Sequence, residues 1–339
     1  MKLISRILAS KVLRWGFAVA VLVGAIYYVD EEWGDIHHAL DRIGVWSSLA
    51  SLVFVLAALL ATMWVWRTLL AGLGSPLSFR VASRVLFIGQ LGKYLPGSVW
   101  PVLAQMELAT EHGVPRARTA AASVINMGVT LLAGLLAGLV MLPFMGGVGQ
   151  YWWAFLVAVP LVACLYPPVL NWILRLGFRI LRRPPLEQEL SGKSILTAIG
   201  WSLVCWVFFG LQIWILMVKV GAHPLSALPL AIGAFAFAFS VGFIFIPSPA
   251  GAGLRDVVLV LLLGPAVGTG PATAIALVSR LVTVLGDVIT ASTAFASYRR
   301  GKGHRPVSDG GPSAGEPSAG EPRDREPLPG DEARITNAR

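Results

Sequence analysis

Charged side chains are scarce in this chain. They make up 13% of its 339 residues, about half the share in an ordinary soluble domain, and so exclude a soluble globular enzyme. Cysteine is almost missing. Cys164 and Cys205 are the only two, each inside an apolar run, so neither a disulfide framework nor a cysteine-based metal site is implied. Catalytic signatures are absent as well. There is no His-Glu-x-x-His pattern, no Gly-x-Ser-x-Gly elbow and no Walker-type phosphate loop. The sequence therefore implies no metal and no cofactor, and ATP energy would have to come from elsewhere. Instead, 56% of the residues are apolar, with 12 Trp and 36 Gly, and the mean hydropathy is +0.72. Lipid tolerates apolar surface and close helix packing uses glycine, so an all-α polytopic membrane protein is predicted.

The net charge of +9 is unevenly placed. Residues 301–339 hold 6 Lys and Arg against 7 Asp and Glu, which leaves 21 basic and 11 acidic side chains in 1–300. A basic excess in a membrane body marks short cytoplasmic loops. No basic surface domain exists to bind nucleic acid. The last segment, with its doubled Ser-Ala-Gly-Glu-Pro and no apolar periodicity, reads as a disordered cytoplasmic tail, 301–339, behind a membrane domain, 1–300.

Lys2, Arg6, Lys11 and Arg14 precede an apolar run over 15–29 that ends in Asp30-Glu31-Glu32 without a small-residue cleavage pattern. An uncleaved first helix with a cytoplasmic N-terminus follows. Five further runs, 45–70, 119–145, 152–176, 195–218 and 273–298, are long enough to span at 1.5 Å per residue. Two regions break this pattern. Residues 79–112 carry five charges around Leu95-Pro96-Gly97, and the apolar 228–264 is interrupted at Pro247-Ser248-Pro249-Ala250-Gly251-Ala252-Gly253. No continuous helix accepts either break, so both are read as helix–break–helix hairpins, giving six to eight transmembrane helices in all.

Gly97 and Gly251 are 154 residues apart, an offset shared by Thr119/Thr273, Val124/Val278 and Leu131/Leu285. This suggests an internal repeat with halves of about 45–176 and 195–298. If each hairpin enters and leaves on one side, every basic cluster, including 299–305, falls in the cytoplasm and the acidic stretch 30–41 falls outside. Both termini are then cytoplasmic. The first hairpin dips in from the cytoplasm and the second from outside, so the halves are inverted, an arrangement that recurs in secondary transporters. His37-His38, beside Asp35 and Asp41, is read as part of an interfacial amphipathic segment.

Non-helical backbone at membrane depth survives only where protein or a water-filled cavity satisfies it. The breaks therefore mark an interior site. The first supplies Gln90, Lys93 and Tyr94 beside Pro96 and Gly97. The second offers Pro247, Pro249, Gly251 and Gly253, then Arg255 and Asp256 at the start of the next helix. A helix N-terminus beside Lys or Arg is an anion site. Lys93, Arg255 and Arg280 are thus candidates to contact a lipid phosphate. Lys93 could instead snorkel at the boundary, and Arg255-Asp256 could be a helix-start pair facing water. Arg280 and Asp287 lie seven apart on one face of an apolar helix, where each charge needs a partner. Asn126, opposite Arg280 in the repeat register, is read as a helix-packing hydrogen bond.

On GKYLPGSVWP, on PSPAGAGLRD and on Arg280 with Asp287, the chain resembles the lysylphosphatidylglycerol synthase transmembrane family, a flippase-like family. The resemblance covers roughly residues 8–300. Arg255-Asp256 stands where an Arg-Glu is common in that family. Ser98-Val99-Trp100-Pro101 departs from its Gly and acidic residue. The resemblance implies translocation or carriage of an anionic lipid or lipid-linked precursor, such as an anionic phospholipid or polyprenyl phosphate, in envelope assembly. No aminoacyl-transfer domain is readable after Arg300, so synthase activity is not expected. Two other functions stay open: a membrane enzyme acting on a polyprenyl-phosphate-linked substrate, which would use Glu107, Glu111, Asp256 or Asp287, and a scaffold for envelope-synthesis enzymes. The basic N-terminus and the Ala/Gly/Arg-rich composition place the chain in a bacterial plasma membrane.

Overall fold

The computed structural model describes residues 33–94, 99–141, 153–180, 188, 190–244 and 253–302. The predicted first helix, the predicted tail beyond 302, and the break residues Pro96, Gly97, Pro247, Pro249 and Gly251 lie outside the described residues. What is described is helical, without strands: α1 (Trp33–Gly72), α2 (Phe79–Gln90), a 3-10 turn (Leu91–Tyr94), α3 (Trp100–Thr110), α4 (Arg116–Met141), α5 (Trp153–Leu165), α6 (Pro167–Ile180), α7 (Gly192–Lys219), α8 (Pro224–Ile244), α9 (Leu254–Val267) and α10 (Thr269–Lys302). Of these, α1, α4, α7, α8 and α10 are long and apolar enough to cross a bilayer. The chain is an all-α polytopic membrane protein.

Local chemistry sets the helix boundaries. Gly44 stands at φ 62 inside α1, a conformation that glycine adopts without steric cost. It separates the span from an amphipathic turn that buries Ile36, Ala39 and Ile43 while His37, His38 and Asp41 stay exposed. The first hairpin has short arms, α2 and α3, of 12 and 11 residues, too short to cross a core of about 30 Å. Pro101 sits in the first turn of α3, where its missing N–H costs no hydrogen bond.

Two elements differ from the sequence expectation. The run 152–176, predicted as one span, is two helices of 13 and 14 residues meeting at Tyr166. Tyr166 precedes Pro167 and Pro168, and a residue before proline is pushed out of the helical region. The first arm of the second hairpin is a 21-residue helix starting at Pro224, and it is long enough to span by itself. The second hairpin is therefore not a copy of the first in length.

The packing pairs the helices reciprocally. α1 packs on α7; α4 packs on α8 while α10 packs on α2; α1 meets α10 while α7 meets α4; α3 meets α4 while α9 meets α10. Along the α1–α7 seam, Ser51 bonds Gln212, Thr62 meets Cys205, and Trp64 stacks on Trp201 at 5.7 Å. Partner numbers fall as α1 rises, so the two helices are antiparallel. Across the α7–α8 seam an aromatic cluster forms from Trp206, Phe209, Phe235 and Phe239, with centroids 5.1–6.5 Å apart. Trp206 also donates from Nε1 to the Thr130 carbonyl of α4 at 3.0 Å. The outer faces carry exposed Leu277, Leu281 and Leu285 on α10 and Leu49, Val53 and Leu60 on α1, the surface a bilayer accepts and water does not.

Close approach between α7 and α8 depends on Gly210. A Cβ there would stand 2.6 Å from the Cα of Ile232, whereas a Cβ on Gly200 of the same helix would meet nothing within 4 Å. Gly210→Ala should therefore destabilise the bundle by about 1–3 kcal/mol. Gly200→Ala should be neutral or stabilising by up to about 1 kcal/mol. Thermal midpoints in detergent check the contrast, and equal midpoints would refute it.

Candidate functional site

The last helix collects the charges. Arg280 and Asp287 are two turns apart on α10, and a charge at mid-membrane costs about 2.5–3.5 kcal/mol unless it is paired. Each has found a partner from a different hairpin. Asp287, 4% exposed, receives Lys93 Nζ at 2.7 Å and the Tyr94 hydroxyl at 2.6 Å, both on Oδ2. Lys93 and Tyr94 come from the 3-10 turn that ends the first arm of the first hairpin. Lys93 is thus held in an ion pair rather than only snorkelling.

Arg280 takes its partner from the second hairpin, donating from Nη1 to Asp256 Oδ2 at 3.2 Å. The same oxygen accepts the Gly253 backbone N–H at 3.2 Å, so Asp256 also caps the start of α9. Gly253, at φ 89, makes the sharp entry that aims this N–H at the carboxylate. A negative charge here suits the positive end of the helix dipole.

Arg255 is the exception. It sits in the first turn of α9, where the dipole disfavours a cation, and it is 5% exposed, so it is not a pair facing water. Its guanidinium lies 5.3 Å from the Phe235 ring centroid, a cation–π contact. Nε comes within 3.5 Å of Asp256 Oδ1 without forming a hydrogen bond. Among the described residues, Nε and Nη2 of Arg255 and Oδ1 of Asp256 have no hydrogen-bond partner. Gly242 of α8 permits this placement, since a Cβ there would stand 2.8 Å from Arg255 Cβ. Tyr94 is close enough to interact electrostatically with both Arg255 and Arg280. The two hairpins therefore converge on one polar cluster beside α10.

The structure thus joins Lys93, Arg255, Arg280, Asp256 and Asp287, with Gly253 at the cluster's edge. Gln90 is half-buried at the end of α2, one turn before Tyr94, and no bond ties it to the cluster among the described residues. Glu107 and Glu111 are elsewhere, paired with Arg116 and Arg84 at 2.7 Å each. Asn126 is 7% exposed, and its Oδ1 accepts no hydrogen bond among the described residues. The residue opposite Arg280 in the repeat register therefore carries no charged counterpart of the cluster.

The sequence reading missed two buried networks. Gln212 of α7 accepts from Ser51 of α1 at 3.0 Å and donates to Ser279 of α10 at 2.9 Å. Trp66 of α1 donates to Ser123 of α4, which bonds Gln105 of α3. The signal for both was a lone glutamine in an apolar helix. The first network fixes α10 at Ser279, directly before Arg280.

A family description, lysylphosphatidylglycerol synthase TM region, matches residues 15–291. The chain belongs to this family. The match covers both hairpins and α10 through the four residues after Asp287, so the whole cluster lies within the family's defining region. No curated protein matches the chain. For this family member the coupling of Lys93 to Asp287 can be measured. In a double-mutant cycle with Lys93→Ala and Asp287→Ala, the double variant should be less destabilised than the sum of the singles by about 1–3 kcal/mol. Additive losses in detergent unfolding would show that the pair contributes nothing.

Proposed function

We propose that the protein translocates or carries an anionic lipid or lipid-linked precursor in envelope biogenesis, in the plasma membrane of a bacterium, with both termini cytoplasmic. One observation carries this reading: a buried arginine at a helix N-terminus, 3.5 Å from Asp256 Oδ1, whose Nε and Nη2 have no hydrogen-bond acceptor among the described residues. Leaving buried donors unmade costs about 1–3 kcal/mol each. An anion is the species that recovers this cost. Arg255 then makes the primary contact with phosphate, while Lys93 and Arg280 reach the ligand by exchanging carboxylate for phosphate oxygen.

The helix directions support inverted repeat halves. α1 opposes α7, and the pairings among α1–α4 recur among α7–α10, while α5 and α6 have no counterpart. Inversion supplies two routes to one site, one beside each hairpin, which is how transporters reach a mid-membrane ligand from either face. The described carboxylates favour carriage over catalysis. Asp256 and Asp287 are engaged by cations, and Glu107 and Glu111 are paired away from them, so each of the four is held in an ion pair rather than poised as a general base. Partner enzymes of envelope synthesis remain compatible with this reading as suppliers of the lipid.

Reconstitution into liposomes with labelled anionic and zwitterionic lipids tests the proposal. Wild type should expose the anionic lipid faster than the zwitterionic one, and Arg255→Ala and Arg280→Ala should each slow it by about tenfold or more, a loss of about 1.4 kcal/mol in transition-state stabilisation. Rates equal to those of empty liposomes for all three proteins would overturn it.

A further inference from the structure

We propose that Asp256 and Asp287 set the ligand's charge, tuning the cluster to a single negative charge and hence to a phosphodiester monoanion rather than a phosphomonoester or pyrophosphate. This rests on the reading of the cluster as an anion site. Three cations, Lys93, Arg255 and Arg280, face two carboxylates, Asp256 and Asp287. Tyr94 adds a neutral hydroxyl already committed to Asp287. The stretches flanking the cluster, 95–98 and 245–252, read Leu-Pro-Gly-Ser and Phe-Ile-Pro-Ser-Pro-Ala-Gly-Ala, so they add no ionisable side chain. The nearest other charge on the first hairpin's inner arm, Arg84, is nine residues before Lys93 and is paired with Glu111. Among the described residues the formal charge of the cluster is therefore +1.

In a low-dielectric interior such a count discriminates. A net charge of either sign left behind after binding is costly there, while the same residue in water costs little. A monoanion brings the occupied cluster to zero. A dianion leaves it at −1 and pushes against two carboxylates that are fixed in place, one by Lys93 and Tyr94 and the other by Arg280 and the Gly253 N–H. A zwitterion leaves it at +1. With one of the two carboxylates removed the cluster would be +2 and would suit a dianion. The two aspartates thus act by rejecting the wrong charge, a repulsive element that selects among ligands sharing one phosphate geometry.

The decisive measurement is binding of short-chain probes to the purified full chain in non-ionic detergent, at about pH 8.5, where a phosphomonoester carries close to two charges. Dihexanoyl phosphatidylglycerol is the phosphodiester, dihexanoyl phosphatidic acid the phosphomonoester, and glycerophosphoglycerol the diester without acyl chains. Wild type should bind the diester lipid roughly tenfold tighter than the monoester. Asp256→Asn, in which the amide oxygen still accepts the Gly253 N–H, should reverse that preference. Asp287→Asn should do the same without touching the α9 cap, so a folding defect in one variant leaves the other to decide. Arg255→Gln should weaken both lipids. An unchanged preference in both aspartate variants overturns the charge rule while the anion site stands. No binding of either lipid by wild type overturns the anion site itself. Glycerophosphoglycerol binding as tightly as the lipid overturns the lipid reading and leaves the charge rule supported for a soluble diester.

Discussion

A charge inside a bilayer has to be neutralised where it stands, and that constraint organises this protein. α10 brings Arg280 and Asp287 into the apolar interior, and neither has a partner on its own helix. The solution is tertiary. Asp287 draws in the 3-10 turn of the first hairpin through Lys93 and Tyr94, and Arg280 draws in the start of α9 through Asp256. The 3-10 turn of the first hairpin and the start of α9 are thereby held against one continuous helix. The same pairings leave Arg255 buried, with Nε and Nη2 unpartnered among the described residues.

Polar residues elsewhere in the core work by the same logic at lower stakes. Gln212 links α1, α7 and α10, and Ser123 links α1, α4 and α3. Each network is neutral and occupies a seam where three helices meet. Apolar packing in a membrane has little driving force of its own, since lipid tails are as apolar as leucine. These bonds give the seams a register, while the aromatic cluster around Trp206 fills the volume between α7 and α8.

Much of the architecture was legible because lipid imposes length and hydropathy on anything that crosses it. The spans at α1, α4, α7 and α10 follow from apolar runs, and the arms α2 with α3 and α8 with α9 flank the two Pro/Gly breaks readable in the sequence. The need for partners at Arg280 and Asp287 could also be read. Which partners they take could not, because Tyr94 and Asp287 are 193 residues apart and hydropathy carries no azimuth. The break at Tyr166 was hidden for a different reason: its prolines sit in an apolar run whose length alone resembles one span.

Gly286 immediately precedes Asp287, and a Cβ there would stand 2.8 Å from Val55 of α1. The backbone that bears the buried carboxylate is therefore seated flush against the first described helix. In mechanical terms α1 is a bearing wall and Asp287 a post seated on it, with the Lys93 end of the hairpin clasped to that post. Bulk added at Val55, a residue that touches none of the charges, would tilt the post and alter the grip of a turn more than thirty residues further along the chain.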